Sequence, residues 1–395
     1  MPEAVVIGAG IGGLAGAIAL RQRGWEVRVL ERAPAIEPVG SGLAISANAL
    51  KALDTLGLGD RIRALSRIQG QVGIKRADGR WLMRTTPEAA AGRYDDSVVV
   101  MLRARLMEVL VDALGPDALR LGTAVSRVDP EGGVVRTEEG EELRADLVVG
   151  ADGIHSPVRR AMFPGHPGPA YSGVTAWRGL VPRGELEIRS TESWGRGRVF
   201  GVSPLAGDLV YVYATDVLPQ GAVLADEREE LIRRFGGWHE PIPALLRAAD
   251  PARIIRNDVH HLAEPLPAYH RGRAVLVGDA AHAMTPNLGQ GACQAIEDAV
   301  VLAHAAAGGD LGAYTAARLA RTRKVARRSW SVCRATKLRN PVAVRVRDAA
   351  VSLGARMMPD LLVRSLDEVL AWRPPGEPPA ASQERQAVSE RPRRP

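Results

Sequence analysis

The stretch Val5–Gly13, with the sequence VVIGAGIGG, decides the fold because a short β-branched run passes directly into the spacing G-x-G-x-x-G. The run predicts a strand, and Gly13–Gly24 has the apolar periodicity and length of a helix. Glu26–Leu30 then reads as a second apolar strand. A strand, a helix and a strand in this order form a βαβ unit, so we expect a parallel sheet.

The three glycines of this turn suit a phosphate ligand. Gly8 permits the tight turn, Gly10 lets the backbone approach a pyrophosphate, and Gly13 lets the helix pack closely on the strand. The helix N-terminus adds free N–H groups and partial positive charge. Glu31 closes the second strand, where its carboxylate can accept hydrogen bonds from ribose hydroxyls and disfavours a 2′-phosphate. The unit therefore predicts the ADP half of FAD or NAD, and the motif alone does not choose between them.

Two later segments end a buried strand in a turn that pairs glycine with an acid. The first, Leu147–Arg160, contains Asp152-Gly153, and the second, Arg273–His282, contains Gly278-Asp279. In a parallel sheet such strand ends border the ligand. A further glycine-rich segment follows at Met284–Ala292 and leads into a helix predicted over Gly289–Ala307, whose N-terminus can face a developing negative charge.

With these three fingerprints in order, the chain resembles the group A flavoprotein monooxygenases, the aromatic hydroxylases with the para-hydroxybenzoate hydroxylase fold. The resemblance covers roughly residues 1–340. It implies an α/β fold: a Rossmann-like FAD-binding domain of the GR2 type, an inserted and mainly antiparallel substrate sheet, and C-terminal helices. It also selects FAD as the bound dinucleotide.

The resemblance implies cofactor contacts residue by residue. Asp279 matches the family's ligand to the ribityl chain, and Asp152 lies in the segment that serves FAD and the passing nicotinamide. Glu31 falls on the ribose, Arg32 near the adenine, Val125 at the backbone contact to adenine, and Arg103 near the ribityl and pyrophosphate groups. Gly42 belongs to a flexible segment beside the flavin, Pro286 to the pocket wall, and Gly289 and Gly291 to the helix start that faces the flavin ring.

The same resemblance implies a reaction. NADH or NADPH reduces the flavin, O2 adds at its C4a position, and the resulting hydroperoxide transfers one oxygen atom to an electron-rich small molecule. Hydroxylation of an aromatic or polyketide-type substrate is the leading expectation. Epoxidation, Baeyer–Villiger oxygenation and an oxygen-independent FAD reductase remain alternatives. The sequence has no second dinucleotide motif, so the choice between NADH and NADPH stays open.

From about Tyr171 the sequence changes to alternating apolar and polar residues, as in Val199–Ser203 and Leu209–Tyr213, which predicts an antiparallel sheet over the flavin. Its candidate pocket residues are Tyr171, Trp177, Arg178, Tyr211 and Tyr213, although alternate strand residues are as often plain core. Catalysis centres on the flavin, and we name Pro286, Arg178 and Tyr211 as the candidate catalytic side chains.

These patterns divide the chain. We expect residues 1–70, 98–165 and 270–340 to form a discontinuous FAD-binding domain, residues 71–97 and 166–269 a substrate domain, residues 341–371 C-terminal helices, and residues 372–395 a disordered tail. Further predictions are a helix over Ala49–Leu65, a hairpin over Ile74–Met83, a helix over Arg103–Leu114, a hairpin-like stretch over Val134–Val149, and helices over Gly312–Lys337 and Val342–Leu370.

Composition restricts the remaining classes. The net charge of +7 is spread along the chain, which argues against nucleic-acid binding. The basic residues of 318–328 have helical spacing and are expected to form a solvated face. Cys293 and Cys333 are the only cysteines, so we expect no disulfide framework, no metal site and a cytoplasmic setting. No stretch predicts a membrane span. A monomer or homodimer is expected.

Three other functions compete with the monooxygenase. A flavin halogenase would carry Trp-x-Trp-x-Ile-Pro, but the nearest segment, Trp177–Pro182, lacks the second Trp and the Ile. An NAD-dependent dehydrogenase would use the first motif alone, and an inert flavin-binding protein would bind FAD without turnover. A yellow protein that NAD(P)H bleaches and air reoxidises would exclude both.

Overall fold

The computed structural model describes residues 1–36, 41–65, 72–86, 92–94, 96, 98–357 and 366–376. Its strands are β1 (Glu3–Ile7), β2 (Glu26–Leu30), β3 (Gly42–Ile45), β4 (Val72–Arg76), β5 (Trp81–Thr85), β6 (Val99–Leu102), β7 (Leu119–Arg120), β8 (Val125–Asp129), β9 (Val134–Thr137), β10 (Glu142–Arg144), β11 (Leu147–Gly150), β12 (Ala170–Pro182), β13 (Thr191–Trp194), β14 (Arg198–Pro204), β15 (Leu209–Asp216), β16 (Ile255–His261), β17 (His270–Arg271) and β18 (Ala274–Leu276). Its helices are α1 (Ile11–Gln22), α2 (Ala47–Thr55), α3 (Gly59–Arg63), α4 (Arg103–Leu114), α5 (Pro157–Met162), α6 (Glu227–Phe235), α7 (Ile242–Ala248), α8 (Asp279–His282), α9 (Gly291–Ala307), α10 (Leu311–Thr336), α11 (Pro341–Met357) and α12 (Asp367–Leu370).

The first sheet has the strand order β17-β18-β11-β1-β2-β7, and β18 to β7 run parallel. This confirms the predicted βαβ unit. Helices α1 and α9 pack together, and a Cβ built on Gly12 of α1 would lie 3.2 Å from the Ala295 Cβ of α9. The strands β1, β11 and β18 are almost entirely buried, as expected for a parallel sheet between helices.

The second sheet has the order β16-β12-β15-β14-β13-β4-β5 and is antiparallel except between β13 and β4. Its outer face carries Trp177, Phe200 and Val212, which pack on α6 and α7. Because side chains alternate along a strand, Arg178, Tyr211 and Tyr213 lie on the opposite face, which we call the inner face. The mainly antiparallel character predicted from residue 171 onward is confirmed.

Two small sheets complete the fold. Strands β8, β9 and β10 form an antiparallel meander, with Gly140 at φ +89° in the turn between β9 and β10. Strands β3 and β6 pair antiparallel and bring Gly42 opposite Leu102. This pair lies next to the inner face, because the ring of Tyr211 packs on Gly42.

Several predicted helix boundaries were wrong. The single helix predicted over Ala49–Leu65 is broken into α2 and α3, because Gly57 adopts φ +72° and its N–H bonds the Asp54 carbonyl as a helix end. The helix predicted from Gly289 begins at Gly291, since Gly289 is left-handed at φ +62°. The helix predicted over Val342–Leu370 is described as α11 and α12, and residues 358–365 between them, like most of the predicted disordered tail, lie outside the described residues.

Among the helices that the structure describes, none combines the length and the apolar character needed to cross a membrane.

Candidate functional site

The three motif glycines in the turn after β1 have different surroundings. Gly8 adopts φ +102°, and a Cβ there would lie 2.5 Å from the carbonyl oxygen of Ala151. A Cβ on Gly13 would lie 1.9 Å from the carbonyl oxygen of Gly8, so α1 packs directly on the turn. Apart from its chain neighbours, no atom of the described residues lies within 4 Å of a Cβ built on Gly10. The packing of the protein itself therefore requires glycine at positions 8 and 13, whereas Gly10 leaves room for a ligand.

Glu31 fixes the same turn from the end of β2. Its Oε2 accepts a hydrogen bond from the Ala9 N–H at 2.8 Å, and its Oε1 accepts one from the Ala33 N–H at 2.9 Å. The neighbouring segment before Val125 joins this end of the sheet, since the Thr123 N–H bonds the Glu31 carbonyl at 2.8 Å. Arg32 is exposed beside it. The structure thus brings together Glu31, Arg32 and the Val125 region, as expected for an adenosine end.

The two acid-bearing turns lie beside the glycine turn. Ile7, Gly150 and Leu276 are aligned across β1, β11 and β18, so all three turns meet at one edge of the first sheet. Asp152 accepts the Val158 N–H at 3.0 Å through Oδ2, while its buried Oδ1 has no hydrogen-bond partner in the described part of the chain. Burial raises the pKa of Asp152. An orphaned carboxylate oxygen at this edge points to a ligand donor.

Arg103 and Asp279 interact electrostatically at this edge of the sheet, and we call the space beside these two side chains the cleft. Burial raises the pKa of the Asp279 carboxyl, and His282 and Arg103 oppose the rise. Asp279 is nevertheless accessible to solvent. Burial lowers the pKa of the Arg103 guanidinium, against the attraction of Asp279. Gly291, the first residue of α9, is in van der Waals reach of Asp279, since its Cβ would lie 4.0 Å from Oδ1.

The inner face of the second sheet closes the other side of the cleft. Tyr211 packs its ring on Gly42, where a Cβ would lie 2.5 Å from the tyrosine Cγ. Burial raises the pKa of Tyr211, and Arg178 opposes the rise by charge and by a hydrogen bond. Arg178 also acts electrostatically on Arg103. The structure therefore brings Gly42, Arg103, Asp279, Arg178 and Tyr211 together.

The remaining candidate residues lie beside the cleft or away from it. Pro286 and Gly289 are exposed in the turn that precedes α9, next to the cleft. Trp177, a predicted candidate for pocket lining, is in the outer-face core and donates to Glu227 at 2.6 Å, because α6 covers that face. Tyr171 donates its hydroxyl to the Leu218 carbonyl at 2.8 Å, at the far end of β12.

A buried ionic network behind the cleft was missed from the sequence. Asp298 accepts hydrogen bonds from the Gly278 N–H at 2.9 Å and from His282 at 2.6 Å, so it holds the turn that presents Asp279. Arg318 donates to Asp298 at 2.7 Å and to Glu297 at 2.5 Å. The prediction that residue 318 belongs to a solvated face was wrong. Two adjacent acids inside the apolar helix 291–307 were the available signal.

Arg159 is a second residue that the sequence did not single out. It is buried, and it donates to the carbonyls of Ile154 at 2.5 Å and Ala280 at 3.0 Å. These bonds tie the Asp152 turn to the Asp279 turn. Arg159 thereby fixes the spacing of the two acids along the cleft.

Comparison with known proteins identifies the family. A family model of the FAD binding domain matches residues 1–184 and 251–329. An aurachin C monooxygenase/isomerase from Stigmatella aurantiaca is 43% identical over 305 residues, which cover 76% of this chain and 79% of that protein. The chain belongs to the group A FAD-dependent monooxygenases. This monooxygenase is also 34% identical, over 93% of its chain and 97% of the relative, to a 2-heptyl-3-hydroxy-4(1H)-quinolone synthase from Pseudomonas aeruginosa.

The solved structures agree with this membership. The crystal structure of Klebsiella pneumoniae HpxO complexed with FAD and uric acid matches the monooxygenase with a TM-score of 0.84 and 29% identity, over 93% of this chain and 97% of that one. The predicted fold class and FAD cofactor are confirmed. The residues present fit FAD, because Gly10 leaves space at a helix N-terminus and Asp152 carries an unpaired buried oxygen.

Proposed function

We propose that this monooxygenase transfers one oxygen atom from O2 to an aromatic small molecule, with NADH or NADPH as the reductant. The observation that carries the proposal is the meeting of two surfaces. Asp279, which follows β18 of the first sheet, interacts electrostatically with Arg103, which follows β6. Arg103 in turn interacts with Arg178, which hydrogen-bonds Tyr211 on the inner face of the second sheet. A cofactor held by the first surface has its reactive end against the second.

The proposed FAD-binding residues follow the cleft from the adenine to the ring. They are Glu31, Arg32 and Val125 for the adenosine, Gly8, Gly10 and Gly13 for the pyrophosphate, Arg103, Asp152 and Asp279 for the ribityl and phosphate groups, and Gly42, Pro286, Gly289 and Gly291 for the ring. On this assignment residues 1–70, 98–165 and 270–340 form the FAD-binding domain, and residues 71–97 and 166–269 form the substrate domain.

Bound FAD supplies the redox chemistry, accepting hydride from the nicotinamide and activating O2. The chain provides the electrostatics and the enclosure. The N-terminus of α9, at Gly291, offers N–H groups and partial positive charge to a developing anion. Tyr211 keeps its proton at neutral pH, because a tyrosine ordinarily has a pKa of about 10 and burial raises the pKa of Tyr211 further. Tyr211 and Arg178 therefore both present hydrogen-bond donors to a substrate oxygen.

The relatives favour a particular ring type. One is named for a hydroxyquinolone, and the HpxO structure holds uric acid. Both compounds are electron-rich rings that carry N–H and carbonyl groups. We propose a substrate of this class, with hydroxylation of the ring as the reaction.

Oxygen uptake tests the proposed reaction. Purified holoenzyme with NADH or NADPH should consume O2 slowly alone and at least 10-fold faster when 4-quinolone or a related hydroxylated ring is added. The product should gain 16 Da. Nicotinamide oxidation without O2 uptake, together with a substrate that gains 2 Da, would instead indicate the oxygen-independent reductase.

Replacing Arg103 by Met is expected to weaken FAD binding about 10-fold, because one charge-assisted contact is lost and Asp279 loses its facing cation. Titration of apoprotein with FAD, followed by the quenching of flavin fluorescence, measures the effect. Arg105→Met is the matched control, since Arg105 lies on the same helix, is exposed and pairs with Glu108 at 2.7 Å. Equal affinities of the two variants would contradict the role of Arg103.

A further inference from the structure

A hydrogen-bonded pair, Tyr213 and Glu192, lies on the inner face beyond Tyr211. The Tyr213 hydroxyl donates to Glu192 Oε2 at 2.6 Å, and the indole N–H of Trp194 donates to the other carboxylate oxygen. The ring centroids of Tyr211 and Tyr213 are 5.7 Å apart. The pair is thus continuous with the surface that closes the cleft.

Gly201 allows this pair to form across a strand. Tyr213 on β15 is aligned with Gly201 on β14, which is aligned with Glu192 on β13. A Cβ on Gly201 would lie 2.0 Å from Tyr213 Cζ, so the tyrosine ring lies flat on the Gly201 backbone. Any larger residue at 201 would push the hydroxyl away from Glu192.

The environment of Glu192 is unusual for a carboxylate. Burial raises its pKa, and the contributions that oppose the rise come from two neutral donors, Trp194 and Tyr213. Burial also raises the pKa of Tyr213, with Glu192 adding to the rise. Such an arrangement costs stability compared with an apolar side chain of similar size. A role in recognition would explain why this position holds a carboxylate.

We infer that Tyr213 contacts the substrate and that Glu192 positions the Tyr213 hydroxyl. Because the carboxylate takes the phenolic hydrogen, the lone pairs of the tyrosine oxygen are left to accept a hydrogen bond from a substrate N–H or O–H. Arg178 on β12 is directly opposite Tyr213 on β15 in the strand register. The Tyr213 ring, however, extends over β14, so its hydroxyl lies two strands from β12, about 10 Å away at the usual strand spacing.

The pocket therefore offers a donor, Arg178, at one end and an acceptor, Tyr213, at the other. A ring system with a carbonyl at one end and an N–H at the opposite end matches both. This inference rests on the proposed function and assigns recognition of the substrate N–H to Tyr213. Compounds without the N–H leave the buried tyrosine oxygen unpaired and are rejected.

Two small probes test the inference on the oxidised holoenzyme. 4-Quinolone carries the N–H, and N-methyl-4-quinolone keeps the carbonyl but lacks the donor. Binding is followed by the perturbation of the flavin absorbance. Wild-type enzyme should bind 4-quinolone at least 10-fold more tightly than the methylated probe. Tyr213→Phe should bring this ratio near 1, Gly201→Ala should lower it similarly, and Glu192→Gln should lower it by about 3-fold or more.

The ratio separates recognition from stability, because both probes bind the same protein. Tyr171→Phe is the control: it removes a tyrosine hydroxyl from the same sheet and should keep the wild-type ratio. Thermal unfolding and flavin content report whether each variant folds. A ratio that survives in Tyr213→Phe overturns the inference, as does a wild-type enzyme that binds neither probe or does not distinguish them. Binding needs neither NAD(P)H nor O2, so failure of the proposed function would show separately, as absent oxygen uptake.

Discussion

Gly10→Ala is expected to bind FAD about 100-fold more weakly while the apoprotein remains as stable as wild type. Gly10 has φ −74° and ψ 179°, which alanine adopts freely, and within the part of the chain that the structure describes only its chain neighbours lie within 4 Å of the added Cβ. The methyl group would therefore collide only with a pyrophosphate that approaches the turn. Fluorescence titration with FAD and urea unfolding of the apoprotein measure the two quantities.

Two other glycines of α1 control this experiment. Outside its own helix backbone, a Cβ on Gly16 also meets no atom of the described residues within 4 Å, so Gly16→Ala should keep the FAD affinity and gain roughly 0.5–1 kcal/mol of helix stability. Gly13→Ala should instead damage the fold, because its Cβ would overlap the Gly8 carbonyl oxygen. If Gly10→Ala binds FAD as wild type does, the pyrophosphate does not lie at this turn.

Arg318→Ala is expected to lower the free energy of unfolding by about 3–5 kcal/mol, because it removes the buried cation that pairs with both Asp298 and Glu297, and Arg321 remains as a partner of Glu297 only. Arg318, Glu297 and Asp298 are all 0% exposed. Lys324→Ala on the same helix removes an exposed ion pair with Glu368 and should change stability by less than about 1 kcal/mol. Urea unfolding of the apoproteins compares them. Similar losses for both variants would contradict the network's importance.

The same network predicts an acid-labile fold. Burial alone would raise the pKa of Asp298, but His282 and Arg318 hold it at about 2. A depressed folded-state pKa contributes stability above the unfolded value near 4 and loses it as the pH falls toward 2. Removing Arg318 should therefore shift acid unfolding, followed by circular dichroism, to higher pH.

The parts of the site that could be predicted are those encoded locally. The turn at Gly8–Gly13 and the acids at Asp152 and Asp279 each follow a strand directly, so knowing that the strands are parallel brings them to one edge. Burial of Arg318 depends on acids from α9, which helical spacing within 318–328 cannot reveal. Likewise, the alternation of side chains along β12 places Trp177 and Arg178 on opposite faces of the sheet. Only the packing of α6 and α7 determines which of these faces belongs to the core.

The Glu192–Tyr213 pair shows the same limit. Its partners are separated by a strand, and they meet only because Gly201 in that strand lacks a side chain. The break between α2 and α3 was also missed, although a glycine such as Gly57 is a common helix end and is visible in the sequence. Long-range contacts account for the burial of Arg318 and for the Glu192–Tyr213 pair, whereas the missed helix boundaries at Gly57 and Gly289 are local features.

The most direct test of the proposed monooxygenase is turnover under ¹⁸O2. With NADH or NADPH and the ring compound that most stimulates oxygen uptake, mass spectrometry should find one ¹⁸O atom in the product, with the second in water. A product whose new oxygen comes from solvent water, or one that gains two hydrogens and no oxygen, would contradict the account.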